Sequence, residues 1–228
     1  MNSELHSHYN QIHQKGLDSI RTGTYFRDPE INNPLDNRRG ITLLLRPDKE
    51  ACEEIRKFLI PIKAMESGQY YYPPTDFHIT IMSVISCYPG FRLEEINPEE
   101  YTRIIKNSMN SIGKWTIRLQ GSCLTPSGIL IKGYDDSEDL NRFRNKLRLN
   151  FGQTNLQQSL DSRYAIKTAH STVMRFQKSL SKTTSIMEYV EENRETAFGK
   201  FEAKHMELVY NDWYQKKENT ILLKKFSL

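Results

Sequence analysis

Two tripeptides in this sequence set an imidazole and a hydroxyl two residues apart: His78-Ile79-Thr80 and His170-Ser171-Thr172. On a β-strand side chains alternate between faces, so His78 would share a face with Thr80, and His170 with Thr172. Imidazole is the side chain that most readily gains or loses a proton near neutral pH. A hydroxyl beside it donates a hydrogen bond to an oxyanion. Two such pairs facing one another supply a base, an acid and two donors for phosphoryl oxygens. One pair alone means little: with 33 Ser and Thr among 228 residues, six histidines give nearly one such tripeptide by chance. The weight lies in matched placement. His78 follows a helix onset at Asp48 by 30 residues, and His170 follows one at Ser137 by 33.

The elements that must position these residues read as a repeated alternation. Gly40–Arg46 is β-like, Pro47-Asp48 opens a helix running to about Ser67 with Pro61 as a kink or split point, and Phe77–Ser86 is a strand rich in Ile and Val. Asn97-Pro98-Glu99-Glu100 opens a second helix that ends near Gly113. The order then recurs. Trp115–Gly121 and Gly128–Gly133 form a strand pair, Asp136–Phe151 a helix with Leu140, Phe143, Leu147 and Phe151 inward, Tyr164–Phe176 a strand and Thr183–Thr196 a helix. Two closing strands, Lys200–Tyr210 and Thr220–Leu228, follow. Ahead of all this, Leu5, Tyr9, Ile12, Gly16 and Ile20 form the stripe of an amphipathic helix, and Thr22–Asn37 reads as an irregular loop. The organisation expected is residues 1–37 as a helical extension and loop, then a body over 38–228. Its lobes cover roughly 38–114 and 115–228, with interleaving allowed. The class is α+β: two pseudo-symmetric lobes with mostly antiparallel sheets, outer helices and a cleft between them.

Composition narrows the function. Twenty-four aromatics and a net charge of +4 exclude wholesale disorder. The longest apolar runs resemble Leu43-Leu44-Leu45 and Ile221-Leu222-Leu223, too short for a membrane span or a signal peptide. A soluble, cytoplasmic protein is expected, with no membrane partner. Cys52, Cys87 and Cys123 are three, far apart and without C-x-x-C spacing, so they read as core fillers and not as disulfides or zinc ligands. His6, His8 and His13 do not converge on one helix face as an i, i+4 pair does, and a solvated face is the better reading than a metal cluster. No metal and no cofactor is expected.

Residues 115–228 carry 18 Lys and Arg against 13 Asp and Glu, whereas residues 1–114 carry 14 against 15. That lean suits a phosphate-bearing ligand but falls short of the basic stripe of a duplex-DNA binder. The run Arg142, Arg144, Lys146, Arg148 reads as a solvated helix face, with attraction of RNA as the alternative. Arg175, five residues after His170, has the wrong strand parity, so a direct phosphate role requires a bulge or strand end. Tyr70, Tyr72, Tyr164, Phe176 and Tyr210 flank the motif strands and are candidates to stack a nucleobase, with core or rim packing at least as good a reading for each.

With both motifs in view, the chain resembles the 2H phosphoesterase superfamily, defined by two His-hydrophobic-Thr/Ser-hydrophobic motifs on related strands of a two-lobed fold. His78-Ile79-Thr80-Ile81 fits fully; His170-Ser171-Thr172-Val173 departs at Ser171, which should face away from the cleft. The lead-in Tyr70-Tyr71-Tyr72-Pro73-Pro74 and the ending Glu207-Leu208-Val209-Tyr210-Asn211-Asp212-Trp213 are also similar to the superfamily, and the resemblance spans roughly Arg38 to Leu228. It implies metal-independent hydrolysis of 2′,3′-cyclic phosphates or related RNA-end phosphodiesters, with His78 and His170 as acid and base and Thr80 and Thr172 on the non-bridging oxygens. The substrate expected is a nucleotide or RNA end, handled by a monomer. Two alternatives stay open: a 2′-5′ RNA ligase or hydrolase of 2′-5′ oligoadenylates or cyclic oligonucleotides, and a binding module without turnover.

Overall fold

The computed structural model describes residues 3–109, 114–162 and 165–228. The N-terminal stripe folds as helix α1 (Ser3–Arg21). It is followed by β1 (Arg38–Leu45), α2 (Lys49–Met65), the short β2 (Tyr70–Tyr71), β3 (Ile79–Pro89) and α3 (Pro98–Ser108). The second half supplies β4 (Trp115–Thr125), β5 (Gly128–Asp135), α4 (Asp139–Gly152), β6 (Ser171–Arg175) and α5 (Thr183–Glu192). Strands β7 (Ala197–Ala203), β8 (His205–Asp212) and β9 (Ile221–Ser227) close the chain. No helix among the described residues is long and apolar enough to cross a membrane.

The architecture is α+β with two antiparallel sheets, ordered β3-β1-β8-β9 and β2-β6-β5-β4-β7. Chain halves and sheets do not coincide: β8 and β9 from the second half join the first sheet, and β2 from the first half edges the second. The single closing strand expected over Lys200–Tyr210 is two strands, because the chain passes from one sheet to the other at Lys204. One continuous apolar core, with Leu43 and Ile81 on one side and Ile117, Ile131 and Val173 on the other, joins the sheets.

Local chemistry explains most element boundaries. Asp48 caps α2 by accepting the Ala51 N–H at 2.8 Å, and Ala51, Ile55, Phe58, Leu59 and Ile62 are its buried stripe. Pro61 neither kinks α2 into two nor ends it; the proline is exposed, on the side away from that stripe. α3 ends at Ser108, and the anticipated stop at Gly113 lies outside the described residues. At the far end of α2, the buried carboxylate of Glu66 accepts from the Ser181 and Lys182 N–H groups and the Ser181 hydroxyl, capping the start of α5 from across the fold.

α1 is not a loose appendage. It packs on β4 so closely that a Cβ at Gly16 would lie 2.6 Å from the Leu124 carbonyl carbon. His13 corrects the solvated reading of the histidines: it is 2% exposed, accepts the Leu124 N–H at 3.1 Å through Nδ1, and donates Nε2–H to Glu191 at 2.9 Å. His6 stacks on Tyr134 at 4.9 Å, and His8 is half-buried. The strand Ser122–Leu124 and Tyr134 beyond it cover this face, which the spacing of the three histidines alone does not reveal. Cys87 and Cys123 are buried; Cys52 is half-buried, and burial pushes its thiol up to about 11.

Candidate active site

β6 is much shorter than the strand expected over Tyr164–Phe176, and its start explains the geometry of the second motif. β5 pairs with β6 only as far as Ile131 opposite Ser171. Beyond that point the Tyr9 hydroxyl from α1 donates to the Gly133 carbonyl at 3.0 Å and accepts the Gly133 N–H at 3.2 Å, taking up the groups a longer strand would need. The Ala169 backbone crosses so near that a Cβ at Gly133 would sit 1.8 Å from the Ala169 carbonyl oxygen. His170 therefore stands at the mouth of β6, one residue before the ladder begins.

His78 is placed in the same way, immediately before β3 and after a tight turn at Pro74–Asp76. Its Nδ1–H donates to the Asp76 carbonyl at 2.8 Å, which leaves Nε2 for the cleft. His170 Nδ1 lies 2.7 Å from the Thr168 hydroxyl, a partner able to donate or accept. His78, Thr80, His170 and Thr172 all line one cleft of about 220 Å³ between the two sheets. Ser171 points the other way, into the core, where its hydroxyl is fully buried without a hydrogen-bond partner among the described residues.

A bulge follows each motif. Between β1 and β3 the register passes from Leu43–Met82 to Leu44–Thr80, leaving Ile81 without a counterpart. Between β5 and β6 it passes from Ile129–Met174 to Leu130–Thr172, leaving Val173 without one. Each bulged residue lies three positions after its histidine. The consequence is a change of parity: Ser83 and Arg175, five positions after their histidines, both line the cleft. Arg175 thus meets the condition that its spacing set for a phosphate role.

Electrostatics suit an anionic ligand. Burial, together with Arg46, His170 and Arg175, holds His78 down to about 4 against the favourable Asp76 carbonyl bond. Burial, then Arg144, Arg175 and His8, brings His170 to about 4 as well. Burial works against the Arg175 cation, but Tyr72, Asp28 and Tyr214 outweigh it and raise its pKa. The one carboxylate lining the cleft among the described residues, Asp161, is paired with Arg148. No group of three or more His, Cys, Asp or Glu among the described residues is arranged to hold a metal ion.

The aromatic candidates are placed elsewhere. Tyr70 packs edge-on against Tyr72, Phe176 against Tyr25 in the core, and the Tyr210 hydroxyl donates to the Phe91 carbonyl. Tyr72 is buried behind the cleft, where its hydroxyl accepts from Arg175 Nε at 2.8 Å. Tyr164 lies outside the described residues. Among the described residues, the Trp, Tyr or Phe ring that does line the cleft is Trp213, with the Arg38 guanidinium 5.0 Å from its centroid. It sits at the end of the Glu207–Trp213 segment, where parity alone does not single it out. Arg144 corrects the solvated reading of the Arg142–Arg148 run: it is 1% exposed, beside the inward Phe143 and Leu147.

No protein-family profile matches the sequence, and no curated protein matches it with significance. Solved structures do match by fold. TT0787 of Thermus thermophilus aligns with a TM-score of 0.59 at 16% identity, over 84% of this chain and 97% of that one. E. coli LigT complexed with 3′-AMP aligns at 0.51 and 11% identity, over 84% and 98%. ATU0111 of Agrobacterium tumefaciens aligns at 0.51 and 16% identity, over 94% and 97%. What these neighbours share with the chain is the fold, an α+β arrangement of two antiparallel sheets with flanking helices.

Proposed function

We propose that the protein is a phosphodiesterase that opens 2′,3′-cyclic phosphates or related RNA-end phosphodiesters by two-histidine acid–base catalysis. The observation that carries this reading is the convergence of His78, Thr80, His170, Thr172 and Arg175 on one cleft. One imidazole takes a proton from water as the water oxygen bonds to phosphorus. The other gives a proton to the ribose oxygen as its bond to phosphorus breaks, leaving a phosphate monoester. Thr80, Thr172 and the Arg175 guanidinium bind the non-bridging oxygens, where negative charge accumulates. In the free protein both imidazoles are neutral at pH 7; the incoming phosphate, an opposite charge, draws a proton onto one of them. Trp213 gives the nucleobase a stacking surface. That E. coli LigT has been solved with 3′-AMP and with NADP+ supports a nucleotide ligand for this fold.

A substrate panel tests the proposal. Purified protein is incubated with 2′,3′-cyclic mononucleotides, 2′-5′-linked and 3′-5′-linked dinucleotides, cyclic dinucleotides, and paired RNA ends, with and without EDTA. Metal-independent formation of a single monoester from the cyclic mononucleotides is the expected result. Cleavage or joining confined to 2′-5′ linkages would reassign the site, and tight binding without product from any of them would make it a binding module.

A further inference from the structure

We propose that Arg144 is a positioning residue that holds the two motif histidines at their working separation, by bolting the strand of His78 to the segment that carries His170. The inference rests on reading the cleft as a phosphodiesterase site, but its evidence is independent of the substrate. β3 and β6 belong to different sheets, so no ladder hydrogen bond fixes the distance between the motifs. Arg144, on α4, reaches both. Its Nε–H donates to the Ile81 carbonyl at 2.9 Å, and Nη2 donates to the Thr80 carbonyl at 2.9 Å and the Thr168 carbonyl at 2.7 Å. Nη1 donates to Asn141 at 3.2 Å, which orients the guanidinium from its own helix.

Two details show that the site is built around this fork. Consecutive carbonyls on a regular strand point to opposite edges, yet those of Thr80 and Ile81 are both bound by one planar group. The bulge at Ile81 is what turns them together. On the other side, Thr168 accepts from Arg144 through its carbonyl while its hydroxyl lies within hydrogen-bond distance of His170 Nδ1, so a single residue links the fork to the imidazole.

A buried cation is costly to take out of water. Arg144 has no ion pair with a carboxylate among the described residues, and burial lowers its pKa to about 10, which leaves it charged at neutral pH. A lysine has one ammonium where three carbonyls need two edges of a plane. The arrangement is therefore specific to arginine, and it sets a fixed positive charge within electrostatic reach of His170. Among the described residues, the charged or titratable groups facing His170 are Arg144 from α4, Arg175 from β6, His8 from α1 and His78 at the start of β3.

The test uses Arg144→Lys, which keeps the charge and loses the fork, Arg144→Met, which loses both, and Asn141→Ala, an exposed change that frees only Nη1. Single-turnover rates on a 2′,3′-cyclic mononucleotide, NMR titration of the histidine Cε1–H signals and thermal melts are read for each. A folded Arg144→Lys should lose about 10²-fold in kcat, the scale of an ångström misplacement, with KM changed less than about threefold. Its His170 titration should match wild type, whereas in Arg144→Met the His170 midpoint should rise because a nearby cation is gone. Asn141→Ala should lower kcat by about threefold without lowering the melting temperature, and it decides the matter if the Arg144 variants do not fold. A folded Arg144→Lys, or Asn141→Ala, with wild-type kcat would overturn the proposal. If the wild type turns over no phosphodiester, the functional reading fails and positioning is judged separately with inorganic phosphate. Phosphate should shift the His78 and His170 signals together in wild type and only one of them in Arg144→Lys; joint shifts in both would end the positioning claim.

Discussion

Arg175 donates Nε–H to the Tyr72 hydroxyl at 2.8 Å, and that bond reaches from β6 to the residue just beyond β2. The pair aims the guanidinium into the cleft, while the Tyr214 ring lies 5.6 Å beneath it and the Tyr214 hydroxyl is tied to Asp28 and Arg38. Arg175→Met should therefore lower kcat/KM on a cyclic phosphate by about 10²–10³-fold, the range for one lost charge-stabilising donor. Tyr72→Phe, which leaves the cation but not its anchor, should lose about tenfold. Steady-state kinetics check both; a Tyr72→Phe loss larger than that of Arg175→Met would reverse the assignment of roles.

On the proposed mechanism the two imidazoles act in one transition state. His78→Ala and His170→Ala should each reduce the single-turnover rate by about 10²–10⁴-fold, and the double variant by less than the product of the two. Thr80→Ala and Thr172→Ala should be milder. Either single histidine variant, folded and with wild-type turnover, rules out the pair mechanism.

Because both histidines are held to about 4 before phosphate arrives, the free and bound forms should titrate differently. A bound phosphate favours the imidazolium, so the bell in kcat should lie at higher pH than the bell in kcat/KM. Coincident profiles, with chemistry shown to limit the rate, would contradict that coupling.

Stability should follow pH through the same physics. His13, like His78 and His170, is depressed to about 4 in the folded chain, for His13 chiefly by burial and by Arg194. Unfolding lets each bind a proton at its ordinary pKa of about 6.5, so the unfolded state holds more protons between those values. The stabilisation is complete above about 6.5 and is lost as pH falls towards 4. Calorimetry from pH 8 to 4 should show a level melting temperature and then a decline. His13→Gln should make that decline shallower; an equal slope would show that His13 contributes nothing to it.

Ser171 offers a cheap gain. Its hydroxyl is buried and unpartnered, so Ser171→Ala removes an unsatisfied group at small cost in volume and should be neutral or stabilising by up to about 1 kcal/mol, with turnover unchanged. Chemical denaturation reads this directly. A loss of more than about 1 kcal/mol would mean that the hydroxyl makes a bond after all.

What the sequence makes legible is local. Strand parity puts His78 with Thr80 and His170 with Thr172, and capping at Asp48 and the stripe of α2 follow from neighbouring residues. The bulges at Ile81 and Val173 are properties of strand pairing, so Arg175 is out of phase with the site until the register is known. Arg144 is disguised by its charged neighbours Arg142 and Lys146, since helical phase sets it beside Phe143 while composition sets it in solvent. The passage of the chain between sheets at Lys204 leaves no break in apolar alternation strong enough to divide one strand into two.

The interleaved strand order fixes when the site can exist. Leu43 of β1 pairs with Met82 on one side and with Leu208 on the other, and the second partner is synthesised long after the first. Until β8 arrives, β1 is an open edge of bare apolar residues, and the wall that carries Trp213 is missing. On a ribosome the His78 strand therefore waits, partly paired, until β8 has been made, and the cleft is complete only then. Cutting the chain between α3 and β4 would not yield two self-sufficient lobes, because each side holds a strand that the other side's sheet requires.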